Sequence, residues 1–183
     1  MEEYNSLSNK EKYKILFVCL GNICRSPSAE AVMKKLVHNA HLDAEIEIDS
    51  AGIISYHEGE AADPRMKAHA ARRGYRIDSI SRPVQIADFY DFDLIIGMDD
   101  KNVEDLKEKA PDLRTEHKIH AMMEYSASQL YDYVPDPYYS GADGFELVLD
   151  LLEDACSGLL NDLLHHRKLS NHPFLHQNSI PPA

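Results

Sequence analysis

Short apolar runs alternate along the chain with longer stretches in which apolar residues recur every three or four positions. The run from Lys14 to Cys19 (KILFVC) is continuous, the pattern of a strand covered on both faces. After a short loop, Ala29, Val32, Met33, Leu36, Val37 and Ala40 fall on one helical stripe. Ser26 is placed to cap that helix, with Pro27 at its first position, where a missing N–H costs nothing. AEIEIDS (44–50) alternates strictly and reads as a second strand with one wetter face. Asp63-Pro64 repeats the cap-then-proline signal, and Gly74 closes the helix it opens. FDLIIGM (92–98) is a third apolar run, followed by Asp99 and the helix-favouring DKNVEDLKEKAP. Residues 117–122 read as a short fourth strand, and residues 143–164 as a long amphipathic helix. Strands alternating with helices imply right-handed βαβ units, and so a small doubly wound α/β fold: four parallel strands with helices on both faces. In such sheets ligands sit beyond the carboxyl ends of the strands, where the loop after Cys19 lies.

A length of 183 residues suits one domain with a sizeable core. The pattern divides it into an N-terminal extension (1–12), a domain (13–164) and a C-terminal stretch (165–183) with no periodicity, expected to be a mobile tail. No apolar run reaches eighteen residues, and the polar start lacks the basic-then-apolar pattern of a secretory signal. The expectation is a cytoplasmic protein with no membrane partner. A net charge of −12 repels nucleic acid as well, so any anion it binds must be held by local geometry rather than by the overall field. The three cysteines, Cys19, Cys24 and Cys156, are too few and too scattered for a disulfide framework or a zinc site. No metal and no cofactor is expected.

The segment CLGNICRS (19–26) concentrates the chemistry. Gly21 and Asn22 are the residues best able to adopt left-handed backbone, and a loop turned that way can aim consecutive N–H groups at an anion. The following helix adds its positive end, and Arg25 a planar fork that matches two phosphate oxygens. Donors that cradle a phosphate equally stabilise a thiolate at Cys19, which makes it a candidate nucleophile. Ser26 can hydrogen-bond the sulfur and help it leave. Taken singly, a cysteine that ends a strand is a small core hydrophobe; cysteine, five residues, arginine and serine between a strand and a helix is far more specific. A Walker-type nucleotide loop fits less well, because no Gly-Lys-Ser/Thr closes the segment.

VCLGNICRSPSAEAV resembles the active-site signature of the low-molecular-weight protein tyrosine phosphatases, and the likeness continues through SAG (50–52), ADPR (62–65), MDDKN (98–102) and DPYYSG (136–141). It spans roughly residues 13–163 and implies a phosphotyrosine protein phosphatase I-like fold, a phosphocysteine intermediate and no metal. It also implies a phosphotyrosine protein as substrate, a tyrosine kinase as a candidate partner, and a monomer or weak dimer. Such a route needs a proton donor for the leaving phenolate and a base for the incoming water. Asp136, stiffened between Pro135 and Pro137 and matching the DPYY-like segment, is the favoured group for both. Tyr56, Tyr138 and Tyr139 are expected as aromatic walls, and Tyr138 and Tyr139 as possible phosphorylation sites. Leu20, Gly21, Asn22, Ile23, Cys24 and Ser26 form the loop, with Ser50 bonding Asn22 as a weaker carry-over from the SAG segment.

Other readings stay open. Cys24 is either packed behind the loop or a resolving thiol that traps oxidised Cys19 as a disulfide. Asp99 either caps its helix, the favoured reading, or braces the acid loop through a tyrosine hydroxyl. Arsenate reductases of similar first loop need further cysteines that are absent between Cys24 and Cys156. Protein-arginine phosphatases favour threonine where this chain has Ile23. A small-molecule aryl phosphatase and a non-catalytic phospho-binding module are the remaining alternatives; the presence of both Cys19 and Asp136 favours an enzyme. Pro83, in ISRPV, stands where relatives usually lack a proline, which leaves the local backbone open.

Overall fold

The computed structural model describes residues 11–166, so nearly all of the expected N-terminal extension and C-terminal tail lies outside the described residues. Its sheet has four parallel strands in the order β2-β1-β3-β4: β1 Tyr13–Cys19, β2 Ile46–Gly52, β3 Leu94–Gly97 and β4 Ile119–Ala121. The helices are α1 Arg25–Asn39, α2 Pro64–Arg72, α3 Ile86–Asp91, α4 Asp100–Lys109, α5 Leu113–Glu116 and α6 Ala142–His166. The doubly wound architecture expected from the periodicity is the one present.

Strand alternation splits the core in two. Ile15, Phe17 and Cys19 of β1 point into a cluster with α1, α2 and α6, while Leu16 and Val18 meet Phe89, Phe92, Ile95 and Leu106 on the other face. Cys19 is thus the last residue of the α1–α6 face before the chain turns. The chain passes from β1 to β2 on one side and reaches β3 on the other, which makes the carboxyl end of β1 a topological switch point.

Element ends differ from the sequence reading for local reasons. Residues 44–45 alternate like β2 but belong to a turn, where the N–H groups of Glu45 and Ile46 both donate to Leu42 O. His117 caps α5 and Met122 enters a 3-10 turn (Met122–Tyr125), which shortens β4 at both ends. Helix α6 starts one residue earlier and runs two residues further than its pattern suggested. The start of α1 is a correction: it begins at Arg25, Cys24 is its N-cap, and Ser26 lies inside the first turn with its side chain turned to the loop. Asp63 does cap α2 through Arg65 N–H at 2.8 Å, with Pro64 next, and Gly74 closes it at φ 79°. Among the described residues no helix is long and apolar enough to cross a membrane.

Helix α6 crosses the 3-10 turn so closely that a Cβ added at Gly158 would sit 1.8 Å from the Tyr125 carbonyl oxygen. Helix propensity alone favours alanine over glycine by about 1 kcal/mol. Here the neighbour is rigid backbone, so Gly158→Ala is expected to lower stability by about 1–3 kcal/mol, measured as a fall in the urea midpoint with little change in slope.

Candidate active site

The loop after β1 is turned inside out by its carbonyls. Cys19 O accepts from Ile53 N–H at 2.9 Å, Leu20 O from Ile54 N–H at 3.0 Å, and Gly21 O from the Ser81 hydroxyl at 3.0 Å. Ile23 O accepts from Asp63 N–H at 2.9 Å, and Cys24 O from the Ser28 hydroxyl at 2.6 Å. In a trans peptide the carbonyl of one residue and the N–H of the next point in opposite directions. Drawing these carbonyls outward therefore turns the N–H groups of Leu20, Gly21, Asn22, Cys24 and Arg25 inward, an anion nest at the start of α1. Only Asn22 takes the left-handed conformation (φ 57°); Gly21, expected to share it, does not. Gly21 instead gives room, since a Cβ there would come within 3.0 Å of the His57 ring.

Asn22 organises what lies beneath. Its amide donates to Ser26 Oγ at 2.8 Å and to Ser50 Oγ at 3.0 Å, and its Oδ1 accepts from Arg82 N–H at 3.0 Å. Ser26 Oγ lies 3.1 Å from Cys19 Sγ and 3.3 Å from Ala51 O. Because Asn22 donates into this hydroxyl, its single proton is left for one of those two acceptors, the sulfur among them. The Ser50 contact expected of the SAG segment is present, and Gly52 beside it is needed for space: an added Cβ would press on Leu20 O and the Asn22 side chain.

Arg25, buried in the first turn of α1, donates through Nη1 to Asp99 Oδ2 at 2.6 Å and to Val134 O at 3.2 Å, and through Nη2 to Asp136 Oδ2 at 3.4 Å. Burial opposes its charge, but Cys19, Asp99 and Asp136 more than restore it, so the guanidinium is held above its ordinary range. Asp99 serves twice, capping α4 through Asn102 N–H at 2.8 Å and anchoring Arg25. The cap was legible in the sequence; the ion pair was not. The loop that carries Asp136 is tied down along its length. Val134 N–H donates to Met98 O at 2.8 Å, and Asp154 of α6 holds the Ser126 and Ser128 hydroxyls at 2.6 and 2.8 Å. Tyr138 N–H donates to Asp136 Oδ1 at 3.1 Å, and Arg65 Nη2 to Tyr138 O at 3.0 Å.

These groups enclose a cavity of about 290 Å³ lined by Cys19, Leu20, Gly21, Ile23, Cys24, Arg25, Ile54, Tyr56, His57, Asp136, Tyr138 and Tyr139. Asn22, Ser26 and Ser50 lie behind it and do not line it. Cys19 is 3% exposed at the base, whereas Tyr56 (80%) and Tyr139 (95%) stand at the rim. Ile54, His57, Arg65 and Arg82 were missed by the sequence reading, and Asp99 was read as a cap without its ion pair to Arg25. Arg65, two residues beyond the Asp63 cap, and Arg82, beside Pro83, lay next to recognised signals. His57 packs edge-on to Tyr56 with centroids 4.8 Å apart and bonds Glu60 at 2.7 Å. Among the described residues no group of His, Cys, Asp and Glu is arranged to hold a metal ion.

Residues 14–169 match the family model of the low molecular weight phosphotyrosine protein phosphatases. A Synechocystis protein assigned to the low molecular weight protein-tyrosine-phosphatases is 47% identical over 150 residues, 82% of this chain and 96% of its own. Among solved structures, a protein tyrosine phosphatase from Entamoeba histolytica superposes with a TM-score of 0.81 at 51% identity, covering 83% of this chain and 97% of that one. A Drosophila arginine phosphatase superposes with a TM-score of 0.78 at 32% identity, covering 84% and 99%. The chain belongs to the low molecular weight phosphotyrosine protein phosphatase family.

Cys24 is buried in the loop wall. Burial, then the charges of Asp63, Cys19 and Asp136, push its thiol far above the ordinary range, and burial alone does the same to Cys156. A raised value means that both stay protonated, and unreactive, at neutral pH. Iodoacetate at pH 7 should therefore modify Cys19 and leave Cys24 and Cys156 intact by peptide mass mapping; alkylation of Cys24 at a comparable rate would contradict the burial argument.

Proposed function

We propose that this chain hydrolyses phosphotyrosine in proteins, with residues 13–164 as the phosphatase domain and Cys19, Arg25 and Asp136 as its catalytic residues. The observation that carries the reading is the shared cavity: a cysteine at its base, inward N–H groups and Arg25 around it, and a carboxylate from a loop more than a hundred residues away at its mouth. The phosphoryl oxygens of a bound monoester take the nest N–H groups and the Arg25 fork. Cys19 thiolate attacks phosphorus in line while the P–O bond to the phenolate breaks, and Asp136 delivers the proton the phenolate needs. The product of this half is a phosphocysteine. Water then attacks the same phosphorus and gives its proton to Asp136, and the S–P bond breaks. Ser26 turns its hydroxyl to the departing sulfur, where Asn22 has already oriented it. The nest stabilises the charge on the equatorial oxygens throughout. Depth selects the ester. A nucleophile at 3% exposure below rim tyrosines matches a phosphate carried on a phenyl ring and disfavours the shorter phosphoserine. Ile23, apolar and lining the cavity, suits that ring better than a guanidinium, which weighs against phosphoarginine despite the likeness to an arginine phosphatase.

Wild type should hydrolyse an aryl phosphate, and a phosphotyrosine peptide in clear preference to a phosphoarginine peptide. Cys19→Ser should abolish turnover. Asp136→Ala should lower kcat by about 10²–10⁴ while inorganic phosphate still inhibits at its wild-type concentration. Loss of phosphate inhibition in Asp136→Ala would make the residue structural, and equal turnover by Cys19→Ser would sink the mechanism.

A further inference from the structure

Arg82 lines no part of the cavity, yet it stands at the end of the hydrogen-bond chain that reaches Cys19. Its guanidinium is gripped by two carboxylates from different elements. Nη2 and Nε donate to Asp49 Oδ2 of β2 at 3.0 and 3.3 Å, and Nη1 and Nη2 to Asp88 of α3 at 2.9 and 3.1 Å. Burial opposes the charge, and Asp88 and Asp49 more than restore it. The backbone of the same residue faces the other way. Arg82 N–H donates to Asn22 Oδ1 at 3.0 Å, Arg82 O accepts from Gly52 N–H at 2.8 Å, and the neighbouring Ser81 hydroxyl holds Gly21 O at 3.0 Å.

The polarity of the Arg82–Asn22 bond matters more than its strength. A backbone N–H can only donate, so it fixes the oxygen end of the Asn22 amide toward Arg82 and the NH₂ end toward Ser26 and Ser50. With the amide reversed, Ser26 would lose its incoming donor, and nothing would direct its hydroxyl proton outward to Ala51 O or the sulfur. Pro83 belongs to the same device. Gly52 pairs in parallel with residue 83, so its ladder bonds run to Arg82 O and Val84 N–H and never call on the N–H that proline lacks. Proline also confines the residue before it to extended backbone, which stiffens Arg82 where it meets Asn22.

We propose that Arg82 is a positioning residue of the phosphate loop: the Asp49–Asp88 clamp holds the backbone donor that sets the Asn22 amide, and through Ser26 the hydroxyl that faces Cys19. The clause about Cys19 rests on the function proposed above; the effect on anion binding does not. The test measures, for wild type, Arg82→Lys, Arg82→Gln and Asp88→Asn, the inorganic phosphate concentration that halves Cys19 alkylation by iodoacetate. It also measures kcat and KM for an aryl phosphate, and uses Gly158→Ala as a destabilised control remote from the loop.

Arg82→Gln should need about tenfold more phosphate for protection and lose about tenfold or more in kcat. Arg82→Lys should recover part of both, because a point charge can satisfy one carboxylate but not the fork's pair. Asp88→Asn should shift the same readouts in the same direction by less, and it decides the matter if Arg82→Gln does not fold. Wild-type phosphate protection in folded Arg82→Gln, or in Asp88→Asn, overturns the proposal; so does a loss in Arg82→Gln that Gly158→Ala reproduces at equal loss of stability. If wild type turns over no aryl phosphate but Arg82→Gln still weakens phosphate protection, the positioning role stands and the catalytic reading falls.

Discussion

A peptide unit cannot point its carbonyl and the following N–H the same way, and the loop after β1 is built on that restriction. The nest exists because other parts of the chain pull its carbonyls outward. The extension of β2 supplies Ile53 and Ile54, the start of α2 supplies Asp63, α1 supplies Ser28, and the segment before α3 supplies Ser81. The sheet, two helices and a connecting strand segment thus act as a frame that turns one set of donors toward the middle of the loop. In a chain of net charge −12 this is what makes anion binding feasible, because the long-range field opposes it.

Packing and chemistry meet at β1. Its side-chain alternation puts Cys19 on the α1–α6 face, and α1 begins six residues later with Arg25 folded back beneath the loop. A buried guanidinium needs fixed partners, since desolvation outweighs a poorly placed ion pair. Asp99 and Val134 O provide them from β3's exit and from the loop that carries Asp136. Arg25 and Asp136 are therefore mechanically joined: what stabilises Arg25 in the fold also sets where Asp136 can reach.

Much of this was legible because its signals are local. Strand period, Asp63-Pro64 and the spacing of Cys19, Arg25 and Ser26 are written within a few residues, and they marked the fold and the loop. Contacts made across the sheet left no such trace. Asp99 reads as an ordinary helix cap until Arg25 is brought to it across 74 residues, and nothing in SRPV announces that Arg82 reaches back 60 residues to Asn22. Ser26 shows the opposite error. Serine before proline has the local look of a cap, but the sulfur and the Asn22 amide compete for the same hydroxyl, and tertiary contacts took it. Gly21 was likewise read for conformational freedom when its value is the absence of a side chain under His57.

The ion pair between Arg25 and Asp136, 3.4 Å apart at a partly exposed carboxylate, has a consequence for which ligands the site can hold. On the function proposed above, binding is an exchange of anions. An incoming group must offer Arg25 more than the carboxylate it displaces, so a singly charged oxyanion gains little over the resting state while a doubly charged one gains a full charge. On that reading the pair favours a doubly charged phosphomonoester over a singly charged sulfate ester of the same shape, by competition rather than by size.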